Sequence, residues 1–548
     1  MGIPAYFSNL IKKYPEIIKK LAESDKKVNH FFLDSNSIVY DVARNLKFEE
    51  ISDTITTAII IGVIHKIEEY ISIVKPDSTI YIALDGTPPI AKLEQQRQRR
   101  YKSWYTGNII KAIKSNANPD PFNTVEITAG TKFMKELNKR LKQYFAYPEK
   151  YGVNTIIVSG ADEPGEGEHK IYEYLRENKE DLGNDTHMIY GLDSDLIMLS
   201  INHLPVCPNI YLFRETPEFI KSIDASLEPN ENYVLDIPEL SSMITLDMCG
   251  EDHVFNISDS DDGDNNSVNR VYDYILLCFF LGNDFLPHFP AINIRTRGIE
   301  KMINAYKAVI GCTDEVLTDG KNIFWKNVRK LVIFLGEREE KYIQEEMKQR
   351  EKREKIYYPD ENPDQMYKKF EAIPQTEREL EKYIEPTAEY WQVRYYRSLF
   401  GIDADEPKRK EISINFLEGL EWTMKYYTSG CPDWRWYYRF NYPPLLGHLI
   451  AYIPCFDNVY IPIQPKNPVP PLVQLCYVLP RDSLNLLPDK LRQGILKEHP
   501  DWYGDDYDFV WSFCKYFWEA HVLLPEIDIP KLEKFVEDVM NEEEEDEG

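Results

Sequence analysis

This 548-residue chain has no run of roughly 20 uninterrupted apolar residues, so no bilayer-spanning helix is expected. Its first residues, "MGIPAYFSNLIKKYP", lack the apolar core and small-residue cleavage site of a secretory signal. Tyr6 stands where N-myristoylation after Gly2 requires Ser or Thr. An intracellular protein with no membrane association is expected, cytoplasmic by default. Cysteine is sparse: eight residues lie scattered, without a C-x-x-C pair or histidines spaced as zinc ligands, which argues against a zinc ribbon and a disulfide scaffold. Basic residues are also in deficit, 64 against 91 acids, for a net charge of −27. Nonspecific coating of nucleic acid is thereby disfavoured, but an enzyme that gathers its basic groups into one groove is not. Tandem repeats and long Gly/Ser linkers are missing too.

With 43% hydrophobic residues the chain is long enough for a large core. Much of the acidity is peripheral: the tail "NEEEEDEG" and the stretch 251–266 read as solvated segments. The second only superficially resembles a calcium loop, since Ser258 and Asn269 fall where Asp and Glu are required. Four segments read as short buried strands ending in acid: "HFFLDSN" (30–36), "IYIALDG" (80–86), "NTIIVSGADEPGEGE" (154–168) and "HMIYGLDSD" (187–195). Helical patterns at 51–74 and in "EHKIYEYLREN" lie between them, and this alternation predicts a parallel α/β sheet flanked by helices. A fifth element, 273–290, reads as either helix or strand.

Ligands of a parallel sheet sit beyond the carboxyl ends of its strands. Asp34, Asp85, Glu166, Glu168, Asp193 and Asp195 occupy those ends, and Asp284 of "GNDF" joins them from the fifth element. Two unit charges 4 Å apart repel by about 4 kcal/mol at an effective dielectric near 20, so such a gathering needs positive charge. Oxygen ligands alone point to Mg²⁺, with Mn²⁺ as substitute, and two such ions suit in-line hydrolysis at phosphorus. The glycines of "DEPGEGE" are expected to turn the chain so that Glu166 and Glu168 face one metal. Directly after Asp85, Lys92, Gln96, Arg99 and Arg100 follow the i, i+4, i+7, i+8 spacing of one helix face. Arginine forks and a lysine charge suit a terminal phosphate.

These segments, with "CPDWRWYYRFNYPP" and "KYFWEAHVLLP", run in the order found in the Xrn-type 5′-to-3′ exoribonucleases, and the chain resembles that family from residue 1 to about 528. The resemblance implies a PIN-like, flap-nuclease-like α/β domain and a largely helical, aromatic-rich second region. It also implies Mg²⁺-dependent, processive release of 5′-mononucleotides from single-stranded RNA with a 5′-monophosphate. By motif match the seven acids become metal-site residues, and Lys92, Gln96, Arg99 and Arg100 the 5′-phosphate pocket. Tyr40, where the family has a base-stacking histidine, and Trp434 or Trp436 become the base stack. Ser37 replaces the usual glycine of the first motif, Ala129 a usual proline, and the basic segment is shorter than is typical.

The expected organisation is a nuclease domain at 1–310, a charged helical linker or insertion at 311–385, the second conserved region at 386–530 and an acidic tail at 531–548. The Lys/Glu/Arg-rich stretch 326–382 reads as a solvated helix or linker. A monomer is expected, with an upstream decapping enzyme as the partner that supplies suitable RNA ends. Two alternatives are a structure-specific flap-type nuclease, against which the aromatic region speaks, and a noncatalytic RNA-binding scaffold, against which the retained acids speak.

Overall fold

The computed structural model of the chain describes residues 6–24, 26–45, 55–114, 122–216, 220–221, 224–249, 265–403 and 405–547. The Gly2 motif, most of the acidic stretch 251–266 and Gly548 therefore lie outside the described residues, as do the side chains of 542–547.

The sequence builds a seven-stranded sheet in the order β1-β7-β6-β5-β2-β3-β4. The strands are β1 (Ile18–Lys20), β2 (His30–Asp34), β3 (Thr79–Ala83), β4 (Thr155–Ser159), β5 (His187–Tyr190), β6 (Ile210–Glu215) and β7 (Asn232–Asp236). Five adjacent strands, β6 to β4, pair in parallel, and β7 and β1 complete the edge by antiparallel pairing. β2, β3 and β5 are buried along their whole length, as strands covered on both faces must be.

Alternation sends side chains to opposite faces. Phe32, Tyr81, Ile189 and Leu212 join α1 (Tyr6–Lys13) and the helices beyond it in one core. Phe31, Leu33, Ile80, Ile82 and Met188 join α2 (Asn36–Asn45), α3 (Ile55–Val74), α4 (Lys132–Tyr144) and their neighbours in the other. Thr131 caps α4 by accepting from the Met134 amide at 3.3 Å. On the first face lie α5 (Gly167–Glu177) and α6 (Asp195–His203), each starting at an acid-bearing strand end. The fifth element, left open by its sequence pattern, is a helix, α7 (Asn265–Phe279), followed by the turn that carries Asp284.

The basic segment forms one long helix at Ile90–Ile113, the basic helix, and it is not a solvated face. Ile90 and Leu93 share a third core with Val473 and Leu475 of the Pro471–Val478 helix and with Leu532 of the Ile529–Glu547 helix. Arg97 is 3% exposed and donates to the Pro525 carbonyl at 2.9 Å. The second region thus clasps the nuclease sheet through this helix.

The structure corrects the solvated reading of 326–382. In the helix Glu339–Glu354, Glu339, Ile343, Glu346, Met347 and Arg350 form a buried stripe. Arg350 meets Glu381 at 2.8 Å with both side chains 2% exposed or less, and Arg350 also donates to the Cys514 carbonyl at 2.8 Å. Glu339 accepts from the amides of Leu446 and Gly447 at 2.7 and 2.9 Å. A charged helix stripe is buried here because each charge finds a hydrogen-bonding partner. All eight cysteines are free thiols, and among the described residues no helix is long and apolar enough to cross a membrane.

Candidate active site

Beyond the carboxyl ends of the parallel strands the structure gathers six acids: Asp34, Asp85, Glu166, Glu168, Asp195 and Asp284. Asp34 ends β2, and Asp85 follows two residues after β3. Asp85 is fixed by Asn36 Nδ2 and by the Gly167 amide, both at 2.7 Å. The two glycines of the "PGEGE" turn do different work. Gly165 adopts φ +115°, open to glycine at little cost. Gly167 has no side chain because a Cβ there would lie 2.7 Å from Asp34 Oδ1. Asp162 and Glu163 face away from the cluster: Asp162 pairs with Lys142 at 3.0 Å and Glu163 accepts from the Ser159 hydroxyl at 2.5 Å.

The positive charge inside this cluster is Lys92. Its Nζ lies 2.6 Å from Glu166 Oε2 and 2.7 Å from Asp284 Oδ2, so the first member of the basic strip belongs to the acids as well. Burial opposes its charge, but Asp284 and Glu166 hold the ammonium well above its ordinary pKa. Asp284, against its own burial, is held below the usual carboxylate range by Lys92. One ammonium does not neutralise the rest. Asp34 is raised well above the ordinary value by burial and then by Asp85, Asp193 and Glu166. Glu168 is raised by burial and then by Asp195 and Glu166, and Asp195 is pushed up to about 7 by burial and then by Asp284. Glu168 Oε2 is buried without a hydrogen-bond partner. Asp193 stands apart from the six: it is exposed on the loop beyond β5, within electrostatic range of Asp34.

Among the described residues no group of three or more acids is already closed around a metal-sized point. The donor set nevertheless fits a hard divalent cation. It offers oxygen alone, an orphaned carboxylate oxygen at Glu168, and carboxylates raised by burial and then by one another. Asp34, Asp85, Glu166, Glu168, Asp195 and Asp284 are the residues placed to hold it.

The rest of the basic strip runs away from the acids. Arg99 acts electrostatically on Asp284. Arg100 donates to the Thr128 hydroxyl, and burial lowers its guanidinium to about 10. Gln96 Oε1 and Arg100 Nε are buried without partners, so two polar atoms on this strip await a ligand. Tyr40 lies within electrostatic range of Arg100 and reaches the Ile127 carbonyl at 3.5 Å. The two tryptophans separate. Trp436 stacks on Trp422 at 5.3 Å in the core and donates to Glu418 at 3.2 Å. Trp434 lies outside the three hydrophobic cores; its carbonyl accepts from Ile90 at 3.0 Å and the Lys466 ammonium lies 5.5 Å from its ring.

Sequence reasoning missed three contributors. Tyr426, from the long helix Glu406–Thr428, donates to Glu166 Oε1 at 2.8 Å, and His169 stacks on its ring at 3.7 Å. Lys170 donates to the carbonyls of Leu84 and Gly160 at 2.8 and 2.7 Å and holds the acid-bearing loops together. The signals were present: Lys170 follows Glu166 by one helical turn, and Tyr426 sits in the aromatic run "EWTMKYYTSG".

Comparison with known proteins agrees with this architecture. Residues 1–216 match the family described as the XRN 5′-3′ exonuclease N-terminus, and residues 265–385 and 375–548 match the Xrn1 helical domain. Similar curated proteins include 5′-3′ exoribonuclease 2 of Gallus gallus, 26% identical with 98% of this chain and 70% of that protein covered. Others are 5′-3′ exoribonuclease 1 of Saccharomyces cerevisiae, 27% identical with 97% and 43% covered, and of Homo sapiens, 26% identical with 97% and 34% covered. The chain thus spans between about a third and seven tenths of the length of these relatives. A parallel-centred sheet with acids at its strand ends, clasped by a helical second region and matched by both family descriptions, makes this chain a member of the XRN 5′-3′ exonuclease family.

Proposed function

We propose that the chain hydrolyses single-stranded RNA from a 5′-monophosphate end in the 5′-to-3′ direction, releasing 5′-mononucleotides with the help of two Mg²⁺ ions, which Mn²⁺ can replace. The observation that carries this reading is a set of six gathered acids with the ammonium of Lys92 ion-paired among them. Such ions, when bound, polarise the phosphodiester and lower the pKa of an attacking water. The protein's own part is positional. Lys92 and Tyr426 fix the two oxygens of Glu166, Asn36 and the Gly167 amide fix Asp85, and the orphaned Glu168 Oε2 is left to ligate.

Arg99, Arg100 and Gln96 read the 5′ end. A monophosphate offers the anionic acceptor that the unpartnered Arg100 Nε lacks, a 5′-hydroxyl offers no charge, and a cap or triphosphate adds bulk at a half-buried strip. Tyr40 and Trp434 stack the first bases, Trp436 being committed to Trp422. In this reading the protein works as a cytoplasmic monomer on ends supplied by a decapping enzyme. The test follows labelled 5′-monophosphate RNA with Mg²⁺ or EDTA, for the unaltered chain, Asp195→Ala and Arg99→Ala. Asp195→Ala is expected to lose hydrolysis and Arg99→Ala to lose its preference for monophosphate over hydroxyl ends; undiminished decay by the aspartate variant overturns the metal-site reading.

A further inference from the structure

The basic helix presents a second face beside the acids. Gln95, Arg99 and Lys102, spaced as neighbours on a helix, line a cavity of about 680 Å³, within the roughly 300–1,000 Å³ range of small-molecule sites. Asp284, Asn283 and His288 supply the opposite wall, so the chamber begins at the acidic cluster. Gln96 and Arg100, the latter donating to Thr128, are not among its lining residues.

This chamber is built for a ligand carrying negative charge and mixed hydrogen-bonding groups. Three of its four acids are engaged, Asp284 by Lys92 at 2.7 Å, Glu519 by Arg295 at 2.5 Å and Glu94 by the Tyr477 hydroxyl, and the fourth, Glu526, is exposed. Among the described residues Lys102 has no carboxylate partner; it donates to the Trp518 carbonyl at 2.9 Å, an acceptor without formal charge. Burial lowers its ammonium to about 8, with Cys514 and Glu519 opposing the shift and Arg99 adding to it. Six of its side-chain atoms are buried without a hydrogen-bond partner: Gln95 Oε1, Asn283 Nδ2, His288 Nε2, Arg97 Nε, the Tyr442 hydroxyl and Glu519 Oε1, the last ion-paired with Arg295. Asn283 is held in place because its Oδ1 accepts from the amides of Phe285 and Leu286, both at 2.9 Å. A buried polar group without a partner is unfavourable unless something binds it.

We propose that this chamber receives the released nucleoside 5′-monophosphate, its phosphate between Arg99 and Lys102 and its base edge against Gln95, Asn283 and His288, before it leaves to solvent. The inference rests on the proposed exonuclease reading, since it is that reaction which produces the mononucleotide at Asp284. The site shares Arg99 with the pocket that reads the RNA's 5′ end and differs from it in Lys102, Gln95, Asn283 and His288.

The experiment titrates the whole chain calorimetrically with AMP or adenosine in EDTA, and separately measures single-turnover cleavage of 5′-monophosphate RNA with Mg²⁺. AMP is expected to bind at least about tenfold more tightly than adenosine. Lys102→Gln is expected to weaken AMP about tenfold or more and to leave single-turnover cleavage unchanged. His288→Leu, on the opposite wall, repeats the test should Lys102→Gln not fold. AMP affinity unchanged in both variants, or lost only in Gln96→Ala, overturns the proposal and puts the nucleotide in the substrate's pocket. AMP binding that responds to Lys102 in a chain that cleaves no RNA would instead remove the exonuclease reading and keep a nucleotide site.

Discussion

Replacing Asp195 by asparagine should stabilise the metal-free protein while removing its activity. Asp195 is buried at the start of α6, and its carboxyl is pushed from 3.8 to about 7, by burial first and by Asp284 next. A shift of about three units corresponds to about 4 kcal/mol at 1.36 kcal/mol per unit. The sign follows from linkage: a carboxyl with a raised folded pKa favours the fold below its unfolded value near 3.9, and that advantage is lost as pH rises through about 7. At pH 8 the unaltered chain carries the full cost of an ionised Asp195, whereas Asp195→Asn carries none. In urea unfolding with EDTA, Asp195→Asn should therefore exceed the unaltered chain by up to about 4 kcal/mol at pH 8 and match it near pH 4. With Mg²⁺ the order should reverse, because the aspartate becomes a ligand and binding to the native state adds stability. A variant that is less stable in EDTA at pH 8, or whose difference does not vary with pH, refutes the reasoning.

Tyr426→Phe removes one charge-assisted hydrogen bond to Glu166, worth about 1.5–3 kcal/mol, and should slow turnover roughly 10- to 100-fold with RNA affinity unchanged, as single-turnover kinetics would show. Trp434→Ala should weaken RNA binding by about 1–3 kcal/mol, whereas Trp436→Ala should cost about 3–5 kcal/mol of stability and leave RNA binding by the folded chain unchanged; both side chains are buried, so binding titrations on the folded variants separate them. Arg350→Met removes one of the two arginines that hold the buried Glu381, leaving Arg378 as the other, and should destabilise the chain by about 1.5–3 kcal/mol, visible as a lower urea midpoint at pH 7.

Three of the strands that carry the acids were legible because their sequence runs are buried on both faces and end at Asp34, near Asp85 and before Asp193, and the half-exposed edge strand β4 because it leads into the glycine-rich acidic turn before Glu166. β6 and β7 were missed: "IYLFRE" and "NYVLD" carry charge at their ends, and they pair antiparallel at the sheet's edge. β1, three residues long, is too short to show a period. The basic strip was visible as helical spacing, but spacing alone does not reveal that Lys92 turns inward to Glu166 and Asp284. That contact depends on the turn after α7 returning Asp284 to the sheet, a long-range event. The buried stripe Glu339, Ile343, Glu346, Met347, Arg350 has core spacing, and its charges disguised it as a surface. Tyr426 was hidden among many aromatics, since the same residue type builds both core and site.

The most direct test of the central claim compares 3′-labelled single-stranded RNAs bearing a 5′-monophosphate, triphosphate or hydroxyl, with Mg²⁺ and with EDTA, alongside a 5′-labelled parallel. The account predicts Mg²⁺-dependent loss of the monophosphate RNA alone, with labelled mononucleotide as the first product. Internal cuts indifferent to the 5′ end, or decay that persists in EDTA, would contradict it.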